Sequence, residues 1–136
     1  VKKIVGFTCG AFDLFHPGHV MLLKYARDRC DELVVGLQTD PTIDRPNKRK
    51  PTQTTMERFI QLKACSFVGQ IFPYDTERDL LNFLKLGIVD KRFIGEDYRH
   101  KRFTGDDLPI EVVYVPRAHD WSSTYFVIRS ASLAQD

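Results

Sequence analysis

Five short apolar runs alternate with amphipathic segments along this chain of 136 residues, and that alternation limits the folds open to it. The runs are Lys2–Cys9 after its basic start, Glu32–Leu37, Gln70–Phe72, Arg92–Ile94 and Ile110–Val115. Short, continuously apolar runs read as strands buried on both faces. The segment opening at Gly18 repeats Leu22, Ala26 and Cys30 at helical spacing, with Lys24, Arg27 and Asp28 among its polar positions. Thr54 and Glu57 have capping-box spacing, and the helix they open carries Met56, Ile60, Ala64 and Phe67 on one face. Thr76 and Asp79 open a third helix with Leu80, Leu81, Phe83 and Leu84, stopped by Gly87. A last helix over 124–134 places Val127, Ile128 and Ala131 on one face. Strands alternating with helices predict an α/β fold: a single Rossmann-like, doubly wound parallel sheet of about five strands, with helices on both faces. The size suits one domain over 1–136. Right-handed crossovers then put the loops that follow the strands on one edge, where such sheets bind ligands.

The first of those loops is the most informative. Gly10-Ala11-Phe12-Asp13-Leu14-Phe15-His16-Pro17-Gly18-His19 links the first strand to the first helix. The first-turn N–H groups and the helix dipole favour an anion there. Gly10 and Gly18, lacking Cβ atoms, are expected to let the chain approach a phosphate, and Pro17 fixes one φ in the turn. His16 and His19, three residues apart, reach one site, and two neutral imidazoles can donate to the oxygens of an α-phosphate. Zinc would need a third ligand, and His100 and His119 lie far along the chain. The expectation is phosphate handling with no protein-held metal.

Composition restricts the rest. A net charge of +2 argues against nucleic acid or a membrane surface as partner. No apolar run is long enough to cross a bilayer. Cys9, Cys30 and Cys65, scattered and without a C-x-x-C pair, suit reduced thiols in a cytoplasm. The cations are clustered. Asn47-Lys48-Arg49-Lys50-Pro51 follows the second strand and precedes Arg58, so the cationic side chains Lys48, Arg49, Lys50 and Arg58 are expected to clamp a triphosphate or a phosphorylated acceptor. After the fifth strand, Arg117 leads into Trp121-Ser122-Ser123-Thr124, three hydroxyls at a helix start that cap it and can bond terminal phosphates. Gly95-Glu96-Asp97-Tyr98-Arg99 follows the fourth strand, with His100-Lys101-Arg102 beside it as a candidate hold on an acceptor's phosphate.

These motifs together resemble the H-x-G-H nucleotidyltransferases, most closely the small glycerol-3-phosphate cytidylyltransferases. The resemblance spans nearly the whole chain, with motifs at four loops in order. It implies that His16 and His19 contact the nucleotide phosphates in the transition state. It also implies that the Thr8, Cys9, Gly10, Ala11 and Phe12 backbone lines the triphosphate site, with Asp13 at the family's acidic position, its role chiefly to hold the turn. Arg117, Ser123 and Thr124 match the family's segment for the β- and γ-phosphates, Ser122 beside them. Glu96 falls near base and ribose. This chain carries Ser66 and Val127 where relatives carry basic residues, and Arg129 is the next cation. The implied reaction joins CTP and a small phosphorylated alcohol, with glycerol 3-phosphate favoured, into a CDP-alcohol and pyrophosphate. Mg²⁺ arrives with the nucleotide, and the enzyme is expected to be a homodimer. Rival readings are adenylyl transfer from ATP to a sugar phosphate or cofactor precursor, a catalytically silent nucleotide-binding module, and an RNA-binding domain.

Overall fold

The structure, a computed structural model, describes residues 2–117, 119 and 121–134. In chain order the elements are β1 (Val5–Gly10), α1 (Pro17–Arg27), β2 (Glu32–Gln38), α2 (Thr55–Ala64), β3 (Gln70–Tyr74), α3 (Glu77–Leu84), β4 (Lys91–Gly95), β5 (Glu111–Val115) and α4 (Ser123–Ala134). The five strands form one wholly parallel sheet in the order β3-β2-β1-β4-β5. The chain winds outward from β1 through β2 to β3, then returns to the other side of β1 for β4 and β5. The direction of winding reverses between β1 and β4, which is where a sheet of this type opens a crevice at its C-terminal edge.

The pairing shows how it opens. β1 and β2 pair in register from Val5↔Glu32 to Gly10↔Leu37, whereas β1 and β4 pair only at Gly6↔Lys91 and Phe7↔Arg92. Beyond those two positions Thr8, Cys9 and Gly10 have no ladder partner on β4, so the strands part toward their C-terminal ends.

Alternation along β2 divides the core. Leu33, Val35 and Leu37 face one layer with Leu23 and Ala26 of α1 and Leu62 of α2, all buried. Val34 faces the other layer with Leu80, Phe83 and Leu84 of α3. Phe7 is fully buried there, edge-on to Phe83 at 5.5 Å between centroids. Helices thus cover both faces of the sheet. Both predicted capping boxes form, Thr54 with Glu57 and Thr76 with Asp79. Gly87 adopts φ 78° just past α3, the left-handed stop that favours glycine.

Three expectations about helix faces change. α1 ends at Arg27, and Cys30 lies past it, packed against Gly6, where a Cβ would sit 2.7 Å from its Sγ. α2 turns Arg58 and Leu62 inward, with Phe59 and Cys65 against the core, while Met56 (65% exposed) and Ile60 (58%) face out. The inward stripe follows the bonds Arg58 makes to the sheet end, described below. α4 buries none of its described side chains: Val127, Ile128 and Ala131 are exposed, and the helix is held by its N-terminal turn.

Candidate active site

The β1–α1 turn is strained and heavily braced. Phe12 (φ 51°) and Leu14 (φ 52°) both occupy the left-handed region, which costs a side chain-bearing residue about 1–3 kcal/mol each. Asp13, between them, accepts the backbone N–H groups of Thr52 (2.8 Å) and Gln53 (2.9 Å) on its carboxylate. The Leu14 N–H donates to Gln53 Oε1 at 2.8 Å, and the Ser123 hydroxyl donates to the Asp13 carbonyl. The approach to α2 and the start of α4 therefore clamp the turn from both sides. Asp13 holds the turn, as the sequence indicates, and its carboxylate is engaged on protein N–H groups.

Those braces aim the histidines. His16 is the N-cap of α1, its Nδ1 accepting from Gly18 N–H at 3.1 Å, and His19 Nδ1 accepts in return from His16 N–H at 3.2 Å. The two imidazoles thus form a reciprocal capping box. An Nδ1 that accepts carries no proton, so each neutral ring carries its proton on Nε2. The rings stack with centroids 3.7 Å apart. Burial lowers the pKa of His19 to about 3, with the neighbouring His16 lowering it further and Asp13 opposing. Burial first, then His119 and Arg117, lower that of His16. The site therefore presents two uncharged N–H donors on adjacent rings. At Gly18 a Cβ would lie 2.8 Å from both His16 Cε1 and His119 Cε1. The missing side chain makes room for these two imidazoles.

A cleft of about 470 Å³ opens on these rings. Tyr25 and Leu22 of α1 form one wall; Gly95, Asp97, Arg117, His119 and Trp121 form the other. Arg117 donates from Nη2 to the Trp121 carbonyl at 3.2 Å. Glu96 lies outside the lining, where its Oε1 accepts the Arg117 N–H at 3.0 Å and braces the loop, whereas Asp97 lines the cleft. Ser122 Oγ accepts Tyr125 N–H at 3.0 Å and caps α4. Ser123 lines the cleft, and Thr124 is exposed beside it. An adjoining cavity of about 260 Å³ is bounded by Ala11, Phe12, Asp13, His19, Lys50 and Ser123. Lys50 stands 3.7 Å from Asp40, and Arg49 3.8 Å from Asp13.

Two expectations fail for physical reasons. Arg58 does not offer its charge to a ligand. It is 1% exposed, and every guanidinium nitrogen is bonded within the protein. Nη1 donates to the carbonyls of Ala11 (2.9 Å) and Gln38 (2.7 Å), Nη2 to that of Thr39 (2.7 Å), and Nε to those of Gln53 and Thr54. Arg58 ties the ends of β1 and β2 to the start of α2. Burial pulls its pKa below the ordinary value, with Asp13 and Asp40 opposing. Thr8, Cys9 and Gly10 line a third cavity instead of the histidine cleft. Burial pushes the Cys9 thiol pKa up, the reverse of what a reactive thiolate needs. The structure joins His16, His19, Arg117 and Ser123 around one cleft, with Ala11, Phe12, Asp13 and Lys50 beside it.

Tyr25 and Arg92 escaped the sequence reading as site residues. Tyr25 lies on the helix that the histidines open. The signal for Arg92 was a charge inside an apolar strand run, which a central strand accommodates only with partners. Among the described residues no group of three or more His, Cys, Asp and Glu side chains could hold a metal ion. Nor is any described helix long and apolar enough to cross a membrane.

A doubly wound parallel sheet with a strained histidine turn at its switch point defines an α/β protein of the Rossmann-like type. The chain belongs to the cytidylyltransferase-like family, whose model matches residues 7–129. It is 34% identical over 131 residues to the bifunctional protein HldE of Hyphomonas neptunium, covering 93% of this chain and 27% of that protein. It is 35% identical over 129 residues to HldE of Campylobacter jejuni subsp. jejuni, with the same coverage. The chain thus spans about a quarter of the curated relatives it matches. Among solved structures, the lipopolysaccharide core biosynthesis protein of Thermoplasma volcanium GSS1 superposes with a TM-score of 0.67 at 24% identity, over 89% of this chain and all of that one. A pantoate-β-alanine ligase of Francisella tularensis, solved with β,γ-ATP and β-alanine, gives 0.65 at 17%, over 95% of this chain and 69% of that one. At these identities the likeness is one of fold.

Proposed function

We propose that the chain transfers a nucleotidyl group from a nucleoside triphosphate to the phosphate of a small phosphorylated alcohol. An oxygen of the acceptor phosphate attacks the α-phosphorus in line, and the bond to the oxygen bridging α and β breaks, so that pyrophosphate leaves. The observation that carries this reading is the reciprocal imidazole cap, which leaves two Nε2–H donors side by side at the head of α1. Such donors stabilise charge building on the α-phosphate oxygens without exchanging a proton, and a preorganised donor of this kind is worth about 10²–10³ in turnover. Arg117 and Lys50 neutralise the outer phosphates, and the N-terminal turn of α4 receives them through Ser123 and Thr124. The chain's own part is positioning and electrostatics, with no covalent intermediate. Mg²⁺ enters as part of the nucleotide substrate.

CTP is the donor in this reading, supported by the description of the matched family. The second donor considered is ATP, the base class carried by the fold neighbour solved with β,γ-ATP. The test follows pyrophosphate release for CTP and ATP against a panel of phosphorylated alcohols headed by glycerol 3-phosphate. Release with CTP supports the first reading, and release with ATP alone moves the assignment to the second. Tight nucleotide binding without release for any acceptor would leave a nucleotide-sensing module and refute the transfer.

A further inference from the structure

The third cavity, about 200 Å³, lies where β1 and β4 part, and it shares Leu22 and Gly95 with the histidine cleft. Arg92 enters it from β4 and is 4% exposed. Its Nη1 donates to the Thr104 carbonyl, its Nη2 lies 3.6 Å from Cys9 Sγ, and its carbon Cζ sits 4.8 Å over the Phe103 ring. Its Nε is buried and, among the described residues, has no acceptor. No described acid forms an ion pair with Arg92. A buried guanidinium with an open N–H is costly unless an anion completes it. Arg45 also lines the cavity, as does Arg102, whose guanidinium donates to the Asp106 carboxylate at 2.5 and 3.0 Å, and the one carboxylate in the lining is that of Glu77. That carboxylate is already engaged by the Thr104 hydroxyl at 3.0 Å and Arg45 at 3.6 Å. With Arg102 paired to Asp106 and Arg45 to Glu77, the charge left without a described acid partner is that of Arg92, and it selects an oxyanion.

We propose that this cavity is the acceptor subsite, in which the Arg92 Nε–H and the Arg45 guanidinium hold the phosphate monoester of a short polyol. Its attacking oxygen turns toward Gly10, where β1 hands over to the histidine turn. The inference rests on the transfer reading above and adds where the acceptor binds and which side chains hold it. A volume of about 200 Å³ falls below the roughly 300–1,000 Å³ of pockets for drug-sized ligands. It suits three or four carbons with a phosphate.

The test titrates the full chain calorimetrically with glycerol 3-phosphate, inorganic phosphate and glycerol, then repeats the titrations and steady-state kinetics with Arg92→Lys and Arg45→Gln. Both phosphates should bind and glycerol should not. Arg92→Lys keeps the charge but loses the Nε–H. It should weaken glycerol 3-phosphate binding and raise the acceptor KM about 10- to 100-fold, leaving the nucleotide KM within twofold. Arg45→Gln, at an exposed position, should give a smaller rise in the same constant, and it carries the test if Arg92→Lys does not fold. Failure of the parent to bind either phosphate would overturn the subsite. So would an unchanged affinity in a folded Arg92→Lys or, failing that, in Arg45→Gln, or an equal rise in the nucleotide KM. Phosphate binding lost in the variants, with no turnover from any nucleotide, would keep the subsite and overturn the transfer reading. Turnover with an unchanged acceptor KM in the variants would do the opposite.

Discussion

Arg58→Met keeps a long apolar stem on α2 and removes the guanidinium that ties three elements together. Three short bonds are lost, to the carbonyls of Ala11, Gln38 and Thr39 at 2.9, 2.7 and 2.7 Å. Hydrogen bonds to a charged group contribute about 1.5–3 kcal/mol each, but the variant also sheds the cost of burying the charge. Removing one partner from a buried charged network typically costs about 3–5 kcal/mol, and about 4 kcal/mol is the value expected here. An unfolding entropy of about 2.1 cal/mol/K per residue gives about 0.29 kcal/mol/K for this chain, so Tm should fall by about 14 °C. Circular dichroism melts read the shift, and nucleotide KM measured well below the new Tm reads the site. A Tm within about 2 °C of the parent, with nucleotide KM raised tenfold or more, would refute the reasoning. It would mean that the guanidinium faces a ligand, as the sequence alone had indicated.

His16→Ala and His19→Ala should each lower kcat about 10²–10³-fold; each also loses half of the α1 cap, at about 1 kcal/mol read by urea unfolding. Turnover near the parent's in either folded variant would remove the assigned role. His19 has a pKa of about 3 in the fold against an ordinary value of 6.5, so between those values the unfolded chain binds the more protons. Its contribution to stability is complete above pH 6.5 and lost as pH falls toward 3. The parent's urea midpoint should therefore drop more steeply between pH 6.5 and 4 than that of His19→Gln; parallel curves would contradict the assignment. Asp97→Asn should change nucleotide KM, whereas Glu96→Gln should chiefly loosen the Arg117 loop and lower Tm. The reverse pattern in kinetics would restore Glu96 as the ligand-facing acid.

Much of the fold was legible because its signals are local. The continuous apolar run of β2, buried on both faces, marked a central parallel strand, and the two Thr capping boxes marked the starts of α2 and α3. The family motif at His16–His19 was legible for the same reason: its residues are close in sequence and act on one helix end. Helix faces were less so. Met56 and Ile60 have the spacing of a core stripe, yet the inward direction of α2 is set by Arg58 reaching the carbonyls of Ala11, just past β1, and of Gln38 in β2, 47 and 20 positions away. Apolar spacing on α4 likewise left open whether a core lies beneath it, and none of its described side chains is buried.

The sequence by itself determined the alternation of strands and helices, and so the parallel sheet, its binding edge and the histidine turn on it. These follow from periodicity, capping and turn chemistry within a few residues of each position. Tertiary structure alone decided what each cation does. Arg58, Arg92 and Lys50 are equivalent as charges in a sequence. In the fold, backbone carbonyls saturate the first, the parting of β1 and β4 leaves the second buried with an open N–H, and the third stands at the rim of a cavity beside His19. A charge takes its role from the acceptors that surround it, and those come from elements far apart in the chain.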